Sequence, residues 1–368
     1  MADLHLHAVK PTGSNVGTGI INEPWVSMEY RGVSTEEFVD RKLREEGYAE
    51  GCVLDITRAF REAHLPAPPH LIDALYHAVM EPEHPDVLAF LTIGTPACFT
   101  MEETIRAMKA FQGFLKIGII PTTPISLDPR MMAKNLETLT PAAEKYGYRP
   151  LVKLHPLIQQ FHLGRIPDDV FKVLNEHGAL LVTHTGVFQG GPCIIQEGIL
   201  DIDASDPKHM AKPAAKYPNI DILLSHMGTP DRVVETYWLK RNKVVKHLMN
   251  AIQLLLDHPN VYGDIGGLMY SAPTEGNYGE EISKEEVDFT PRSELAFDSI
   301  GMRLNDKVRY GGREEKFGNK IVHGSDFPVT SITELRKQMR VLGMMKNGES
   351  VRSKKNMAHR AYKLARRK

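Results

Sequence analysis

The chain has 368 residues, of which 42% are hydrophobic and 25% are charged, a composition typical of a globular protein. The formal net charge of −1 argues against a partner that is recognised through overall charge, such as a nucleic acid. The length is compatible with two domains, but α/β barrels commonly exceed ~250 residues as one domain.

The cysteines and the apolar runs indicate the compartment. Cys52, Cys98 and Cys193 are widely spaced and form no CxxC pair, which argues against a disulfide framework and favours a reducing compartment. The amino terminus lacks the basic and apolar regions of a signal peptide, and no apolar run reaches the ~18 residues of a membrane span. We expect a soluble cytoplasmic protein with a small-molecule substrate and no nucleic-acid or membrane partner. We also expect a homo-oligomer, a dimer.

Nine short apolar runs are candidate strands, and helical patterns lie between them. The runs are 3–8, 51–57, 87–94, 114–120, 150–155, 179–184, 221–226, 261–266 and 320–326. Strands that alternate with helices indicate βαβ units and a parallel sheet. The predicted fold class is therefore α/β, a (β/α)8 TIM barrel, with a doubly wound open sheet as the alternative. Eight strands close such a barrel, so one candidate is extra: we favour 114–120, with 150–155 as the alternative.

Three helices can be predicted from their end signals and periodicity. The first covers 34–50, where Ser34 is a plausible cap with Glu37 at the capping-box position. The second covers 167–178 and ends at Gly178. The third covers 243–258.

One long irregular stretch precedes the last candidate strand. Residues 271–319 are charged and contain glycines, and we interpret them as an insertion in a single domain that spans 1–368. Long segments of this kind in compact domains are often lids or binding loops, and a solvated surface loop is the alternative.

Several candidate strands end in histidine or aspartate, although buried parallel strands are normally apolar throughout. His5 and His7 alternate with leucines in "DLHLHA", and residues two apart in a strand face the same side. His184, His226 and Asp326 end three later strands. The carboxyl ends of barrel strands form the active site, so these side chains are expected to converge on one pocket. Three histidines and a carboxylate are suitable ligands for zinc or a similar divalent ion, with one position left for water.

The order of these motifs resembles a known family. An HxH motif is followed by "THTG", "SHMG" and "GSDFP", and the set is similar to the amidohydrolase superfamily. The strongest similarity is to its metal-dependent branch that includes aminocarboxymuconate semialdehyde decarboxylase and related aromatic-acid decarboxylases. "LVKLHPLIQQFHL", "DPKHMAKPAAKYPNIDILLSHMG", "HPNVYGDIGG" and "KKNMAHRAYKL" extend the resemblance over nearly the full chain.

The resemblance implies a (β/α)8 barrel in which His5, His7, His184 and Asp326 hold one divalent metal ion, zinc or alternatively manganese. It also implies that His226 lies beside the metal-bound water and transfers protons. A metal ion lowers the pKa of its bound water to about 7 in favourable sites, and a histidine exchanges protons near neutral pH. Asp326 is a second proton acceptor. The alternative for His226 is an orienting role behind the metal ligands.

Further residues are candidates for substrate binding. Lys153 and His155 share one side of their strand and are expected to line the pocket. Some amidohydrolases carry a carboxylated lysine that bridges two metal ions, and Lys153 and Lys116 are the candidates if the site is dinuclear. Arg58 directly follows the candidate strand 51–57, where it would clamp a substrate carboxylate, and a surface arginine is the alternative. Phe188 is expected to face the substrate from a rim loop.

Two reactions share this metal site. Our main interpretation is a metal-dependent hydrolase of the amidohydrolase type, in which activated water attacks an amide, ester or lactone of a small organic acid. The alternative is a metal-dependent non-oxidative decarboxylase of an aromatic or unsaturated carboxylic acid. A non-catalytic metal-binding barrel is a third hypothesis, although such a protein has no evident need for all five polar strand ends.

Overall fold

The structure is a computed structural model. It describes residues 2–8, 10, 33–80, 86–95, 98–115, 117–156, 158–186, 202–228, 241–264, 307–310, 313–322, 324 and 350–366.

The strands form two parallel sheets and one antiparallel hairpin. The parallel strands are β1 (Ala2–His7), β2 (Val87–Leu91), β3 (Gly118–Ile120), β4 (Thr122–Pro124), β5 (Leu151–Leu154), β6 (Leu180–His184), β7 (Asp221–Ser225), β8 (Val261–Asp264) and β11 (Ile321–Val322). Their order is β1-β2-β3 in one sheet and β4-β5-β6-β7-β8-β11 in the other, so each strand pairs with its neighbour in chain order. The hairpin joins β9 (Lys307–Tyr310) to β10 (Arg313–Lys316).

The two parallel sheets meet at β3 and β4, which are separated by one residue and together occupy one strand position. The Thr122 hydroxyl at the start of β4 accepts the Thr92 N–H at 2.9 Å and donates to the Phe90 carbonyl at 2.6 Å, which ties β4 to β2. This arrangement gives eight parallel strand positions in chain order, the arrangement of a (β/α)8 barrel. The predicted TIM barrel is therefore confirmed, although the described residues show no hydrogen bonds between β11 and β1.

Nine α-helices lie in the described part of the chain. They are α1 (Thr35–Arg44), α2 (Glu50–Glu62), α3 (Pro69–Met80), α4 (Met101–Phe114), α5 (Pro129–Glu144), α6 (Asp168–Glu176), α7 (Ala211–Lys216), α8 (Arg241–Asp257) and α9 (Ser350–Ala365). The last of these packs against both β1 and β11, and so covers the place where the barrel closes.

Alternate residues of the strands belong to two different hydrophobic clusters. Leu181 and Ile222 pack with helix residues in what we call the outer cluster. Their chain neighbours Val182 and Leu223 pack with residues of the other strands in what we call the inner cluster. The inner cluster also contains Leu364 from the end of α9, so this helix closes the barrel interior on the side of the strand amino ends.

The three predicted helices are present, but the first ends at Arg44 and not at 50. Ser34 caps α1 and forms a reciprocal capping box with Glu37. The second predicted helix is α6, and Gly178 follows its end with φ +57°. The third is α8.

The strand prediction for 51–57 is wrong, because this segment is the first half of α2. Its buried residues are Val53, Ile56, Ala59 and Phe60, whereas Leu54 is 57% exposed. Burial at positions three and four apart is the pattern of a helix face, and the apolar run in the sequence concealed it. Segment 51–57 is therefore the one candidate strand that does not belong to the barrel. Our choice of 114–120 as the extra strand was also wrong, because that run contains β3.

The hairpin β9–β10 lies in the segment that we interpret as an insertion before the last strand, and 271–306 lies outside the described residues. Among the helices that the structure describes, none combines the length and apolar character needed to cross a membrane.

Candidate functional site

The first strand carries two of the predicted ligands, and its register is irregular. Two residues of β1, Leu4 and His5, stand opposite the single residue Ala89 of β2. Leu4 belongs to the inner cluster and Leu6 to the outer cluster, so the strict alternation that we predicted is interrupted by a β-bulge. The side chains of His5 and His7 lie outside the described part of the structure, and their convergence remains a prediction.

Lys153 and His184 face the barrel interior near the carboxyl ends of β5 and β6. Each lies two residues after a member of the inner cluster, Leu151 and Val182 respectively, and therefore shares its face of the strand. Lys153 is fully buried and His184 is 5% exposed. The two strands thus bring an amine and an imidazole to the same end of the barrel.

Three imidazole rings lie in a row at this end. The rings of His155 and His184 are stacked, with centroids 4.0 Å apart and planes at 18°. The ring of His226 meets that of His184 edge to face, with centroids 4.8 Å apart and planes at 65°. All three residues are buried. Three strands that are far apart in the sequence therefore place their histidines in contact.

The segment that positions His226 has an uncommon backbone. His226, Met227 and Gly228 have φ values of +64°, +51° and +73°, so three consecutive residues are left-handed. A left-handed conformation costs a residue that is not glycine about 1–2 kcal/mol. Strain of this kind persists only where the surrounding structure enforces it, and it is concentrated at functional sites.

Two neighbouring strands hold this turn with hydrogen bonds. The His226 N–H donates to Asp264 Oδ1 at 3.3 Å, and the Gly228 N–H donates to Thr185 Oγ1 at 3.0 Å. The Thr185 hydroxyl in turn donates to the Ser225 carbonyl at 2.6 Å. The imidazole of His226 is therefore carried by a turn that β6 and β8 fix from either side.

Asp264 was not among the predicted site residues. It is the last residue of β8 and is fully buried, on the same face as Tyr262, which packs against the inner cluster. The rule that selected Asp326, a carboxylate at the end of a buried strand, applies equally to the aspartate in "VYGDIG". An aspartate at the end of an apolar strand is therefore the signal by which Asp264 could have been selected from the sequence.

His155 lies just beyond β5 and is also held in place. Its backbone N–H donates to Gln159 Oε1 at 2.8 Å, and its Nδ1 accepts the Ile158 N–H at 3.4 Å. Because Nδ1 accepts a hydrogen bond, a neutral imidazole here carries its proton on Nε2.

Arg58 does not follow a strand, which corrects the basis of its predicted role. It lies on the exposed face of α2, and its guanidinium carbon is 5.0 Å from the centroid of the Phe114 ring. The sequence placed it at a strand end only because 51–57 was taken for a strand. The structure favours the surface arginine that we gave as the alternative.

Three other predicted residues cannot be compared with the structure, because Asp326, Phe188 and Lys116 lie outside the described residues. The donors that are described at the strand ends, imidazoles and a carboxylate, are those that zinc and manganese sites use. The chemistry of this donor set therefore fits a divalent metal ion.

Comparison with known proteins identifies a family. Residues 122–338, more than half of the chain, match the family model described as Amidohydrolase. Among curated proteins, none matches this sequence at a significant level.

Solved structures with a similar chain path include three proteins of different activities. A probable 2-pyrone-4,6-dicarboxylic acid hydrolase from Acinetobacter baumannii is 11% identical, with a TM-score of 0.47 over 99% of this chain and 98% of the other. A 5-carboxyvanillate decarboxylase from Sphingomonas paucimobilis is 14% identical, with a TM-score of 0.43 over 99% of both chains. A 4-oxalomesaconate hydratase from Rhodopseudomonas palustris is 10% identical, with a TM-score of 0.42 over 99% and 95% of the two chains. With TM-scores below 0.5, these similarities decide neither fold nor function.

Proposed function

This chain belongs to the amidohydrolase family, and from that membership we propose that it is a metal-dependent hydrolase that cleaves an amide, ester or lactone of a small organic acid. The observation that carries the proposal is the row of buried imidazoles of His155, His184 and His226 at the carboxyl ends of β5, β6 and β7. In a (β/α)8 barrel this end holds the active site.

We propose that His5, His7, His184 and Asp326 hold one divalent metal ion, Zn²⁺ or alternatively Mn²⁺. When bound, such an ion supplies an activated water and polarises the substrate carbonyl. Of the four ligands, the structure describes the side chain of His184, and it lies at a strand end next to two further imidazoles.

His226 is the proton-transfer residue in this proposal. Its ring contacts that of His184 and so lies beside the proposed metal site, where a proton-transfer group must be within hydrogen-bond reach of the reacting atoms. Asp264 fixes the backbone at His226 by accepting its N–H, so it acts as a positioning residue. Asp326 remains a candidate for the second proton acceptor.

Lys153 and His155 bind the acid group of the substrate in this proposal. Lys153 is fully buried on the interior face of β5, and a protonated lysine in such a water-poor setting attracts a carboxylate more strongly than one at the surface. A substrate without a carboxylate should therefore bind more weakly than the corresponding acid.

The reaction can be identified with a panel of small lactones, amides and esters, each with and without a carboxylate, assayed in water enriched in oxygen-18. We expect acid release with one solvent oxygen in the product, and loss of turnover in excess chelator that added Zn²⁺ or Mn²⁺ restores. Turnover that persists in chelator would contradict a metal-dependent reaction.

Decarboxylation is the second candidate, and the full burial of Lys153 on the interior face of β5 is the observation that favours it. A decarboxylase must bind a substrate carboxylate and then deliver a proton to carbon, and Lys153 and His226 offer these two functions. Carbon dioxide release from aromatic or unsaturated acids, with no solvent oxygen in the product, would support this candidate and reject hydrolysis.

The compartment, the assembly and the domain organisation are further proposals. The described cysteines, Cys52 and Cys98, are free thiols, which supports a reducing compartment such as the cytoplasm. The homodimer is tested by light scattering of the purified protein. The single domain over 1–368 is tested by limited proteolysis.

A further inference from the structure

Two short 3-10 turns beside the barrel bring two aspartates together. The turns span Ile202–Ser205 and Pro207–Met210, and Asp203 and Asp206 are three residues apart along them. Asp206 lies between the two turns as the N-cap of the second, and its N–H donates to the Asp203 carbonyl at 3.1 Å. Asp206 is fully buried, and Asn250 of α8 donates to both of its carboxylate oxygens, at 2.9 Å and 3.1 Å.

A buried histidine from α8 faces both carboxylates. The side chain of His247 is 2% exposed, and neither of its ring nitrogens forms a hydrogen bond within the described part of the chain. Its Nε2 lies 3.5 Å from Asp203 Oδ1 and 3.6 Å from Asp206 Oδ2, beyond ordinary hydrogen-bond length. Burial lowers the pKa of His247, which favours the neutral imidazole with a lone pair.

We propose that Asp203, Asp206 and His247 form a second divalent-cation site, separate from the strand-end ligands, that accepts Zn²⁺ or a similar transition-metal ion. Three ligand atoms of these residues lie within 4.8 Å of one another. Zinc binds nitrogen and oxygen ligands at ~2.0–2.1 Å, so ligand atoms of a tetrahedral site are about 3.4 Å apart. The two distances from Nε2 match that spacing closely.

Lys208 competes with a cation for the same carboxylates. Its Nζ lies 3.0 Å from Asp206 Oδ2 and 3.7 Å from Asp203 Oδ2, so the ammonium group neutralises part of their charge. The side chain of Lys208 is 38% exposed and can move into solvent when a metal ion enters. We therefore infer that metal binding displaces this ammonium group, and that removing it increases metal affinity.

The location of the site indicates a structural role. Asp203 and Asp206 precede α7, whereas His247 lies on α8, which packs against the turn that carries His226. A metal ion held by all three residues would join α8 to the segment before α7. The site is therefore expected to stabilise the surroundings of the His226 turn without contacting substrate.

The amount of zinc bound per chain tests the proposal without any assay of activity. The inference does not rest on the proposed reaction. Wild type, His247→Ala and His184→Ala are dialysed against Zn²⁺ and washed, and the bound zinc is measured. We expect about two equivalents of zinc in wild type and about one in each of His247→Ala and His184→Ala, because each substitution removes a ligand from one of the two separate sites and loss of a ligand weakens binding by at least the ~10–100-fold that is typical of losing an outer partner. If only the strand-end proposal fails, His184→Ala and wild type bind the same amount of zinc, and His247→Ala still loses one equivalent.

Two milder variants guard against misfolding of His247→Ala. Asp203→Asn changes a partly exposed residue and should weaken the same equivalent, whereas Lys208→Met should tighten it. We also expect Zn²⁺ to raise the melting temperature of wild type by more than that of Asp203→Asn. Equal zinc content and equal melting shifts in wild type, His247→Ala and Asp203→Asn would overturn the proposal and leave a cluster of ion pairs only.

Discussion

At the scale of single residues, the turn at His226 is the feature that links structure to chemistry. Three consecutive left-handed residues place the imidazole against His184, and hydrogen bonds to Asp264 and Thr185 hold that conformation. A residue that transfers protons must keep its ring within about 3 Å of the reacting atom, so a turn fixed from two strands is well suited to this function.

Replacing His226 should remove activity without unfolding the protein. His226→Gln keeps a polar side chain of similar size but cannot exchange a proton near neutral pH, so we expect kcat to fall by ~10²–10⁴-fold. Circular dichroism and metal content should stay at wild-type values. His177→Gln is the control, because His177 hydrogen bonds to Thr140 on the helices outside the barrel. Near-normal kcat in His226→Gln would leave this residue an orienting role only.

The glycine of the same turn allows a matched test of packing. Both Gly178 and Gly228 have positive φ, at +57° and +73°, but a Cβ at Gly228 would lie 2.5 Å from the His247 carbonyl oxygen, whereas one at Gly178 would have no atom within 4 Å. Gly178→Ala should cost only the left-handed strain of about 1–2 kcal/mol. Gly228→Ala should cost clearly more and also lower kcat. Equal urea midpoints for the two variants would contradict close packing of α8 on this turn.

Several residues of the candidate site could be selected from the sequence, but their geometry could not be predicted. His184 and His226 were found because a polar residue at the end of a buried strand is unusual, and Asp264 obeys the same rule. The left-handed backbone of His226 and Met227 had no such signal, because only Gly228 in "SHMG" is typical of that conformation. Tertiary contacts with Asp264 and Thr185 determine it.

At the scale of secondary structure, the apolar runs predicted the order of the barrel strands, but one run was wrongly assigned as a strand. Capping residues predicted α1 because Ser34 and Glu37 form their hydrogen bonds within four residues of each other. Strand and helix were confused in α2, where a short apolar run satisfies both patterns until its burial is known. The β-bulge in β1 was also beyond prediction, since it depends on the register with β2.

Two alanine substitutions in α2 distinguish a helix from a strand in solution. Leu54 and Ile56 would share a face of a strand, but in α2 Ile56 is fully buried and Leu54 is 57% exposed. Ile56→Ala should lower the free energy of unfolding by about 2–5 kcal/mol. Leu54→Ala should change it by no more than about 0.5 kcal/mol. Similar losses in both variants, measured by urea unfolding, would argue for a strand.

At the scale of the whole molecule, the two ends of the barrel differ in chemistry. The carboxyl ends of β5–β8 carry the histidines and Asp264. The amino ends carry an ion pair between Arg149, just before β5, and Asp221, the first residue of β7. Both residues are buried, and the guanidinium also donates to the carbonyls of Gly178, Ala179 and Asn219. This end joins three βα units and takes no part in the proposed chemistry.

Breaking that ion pair should affect stability and leave the reaction unchanged. Asp221→Asn leaves the buried guanidinium without its counter-charge, and such a loss typically costs about 3–5 kcal/mol. We expect a lower melting temperature but an unchanged KM at temperatures where the variant is folded. Asp168→Asn is the control, because it removes the ion pair with Lys216 at a position that is half exposed. A change in KM for Asp221→Asn would show that the two ends are coupled.

This separation of the two ends has a consequence for how such a protein can change over generations. Substitutions that alter what is recognised would accumulate around the histidine row, whereas substitutions that adapt the chain to heat would accumulate around Arg149 and Asp221. The two kinds of selection would therefore act on different codons and interfere little with each other. A library of variants mutated only around His155 and Lys153 should therefore contain proteins with new substrate preferences. These variants should still fold, because the Arg149–Asp221 end of the barrel is unchanged.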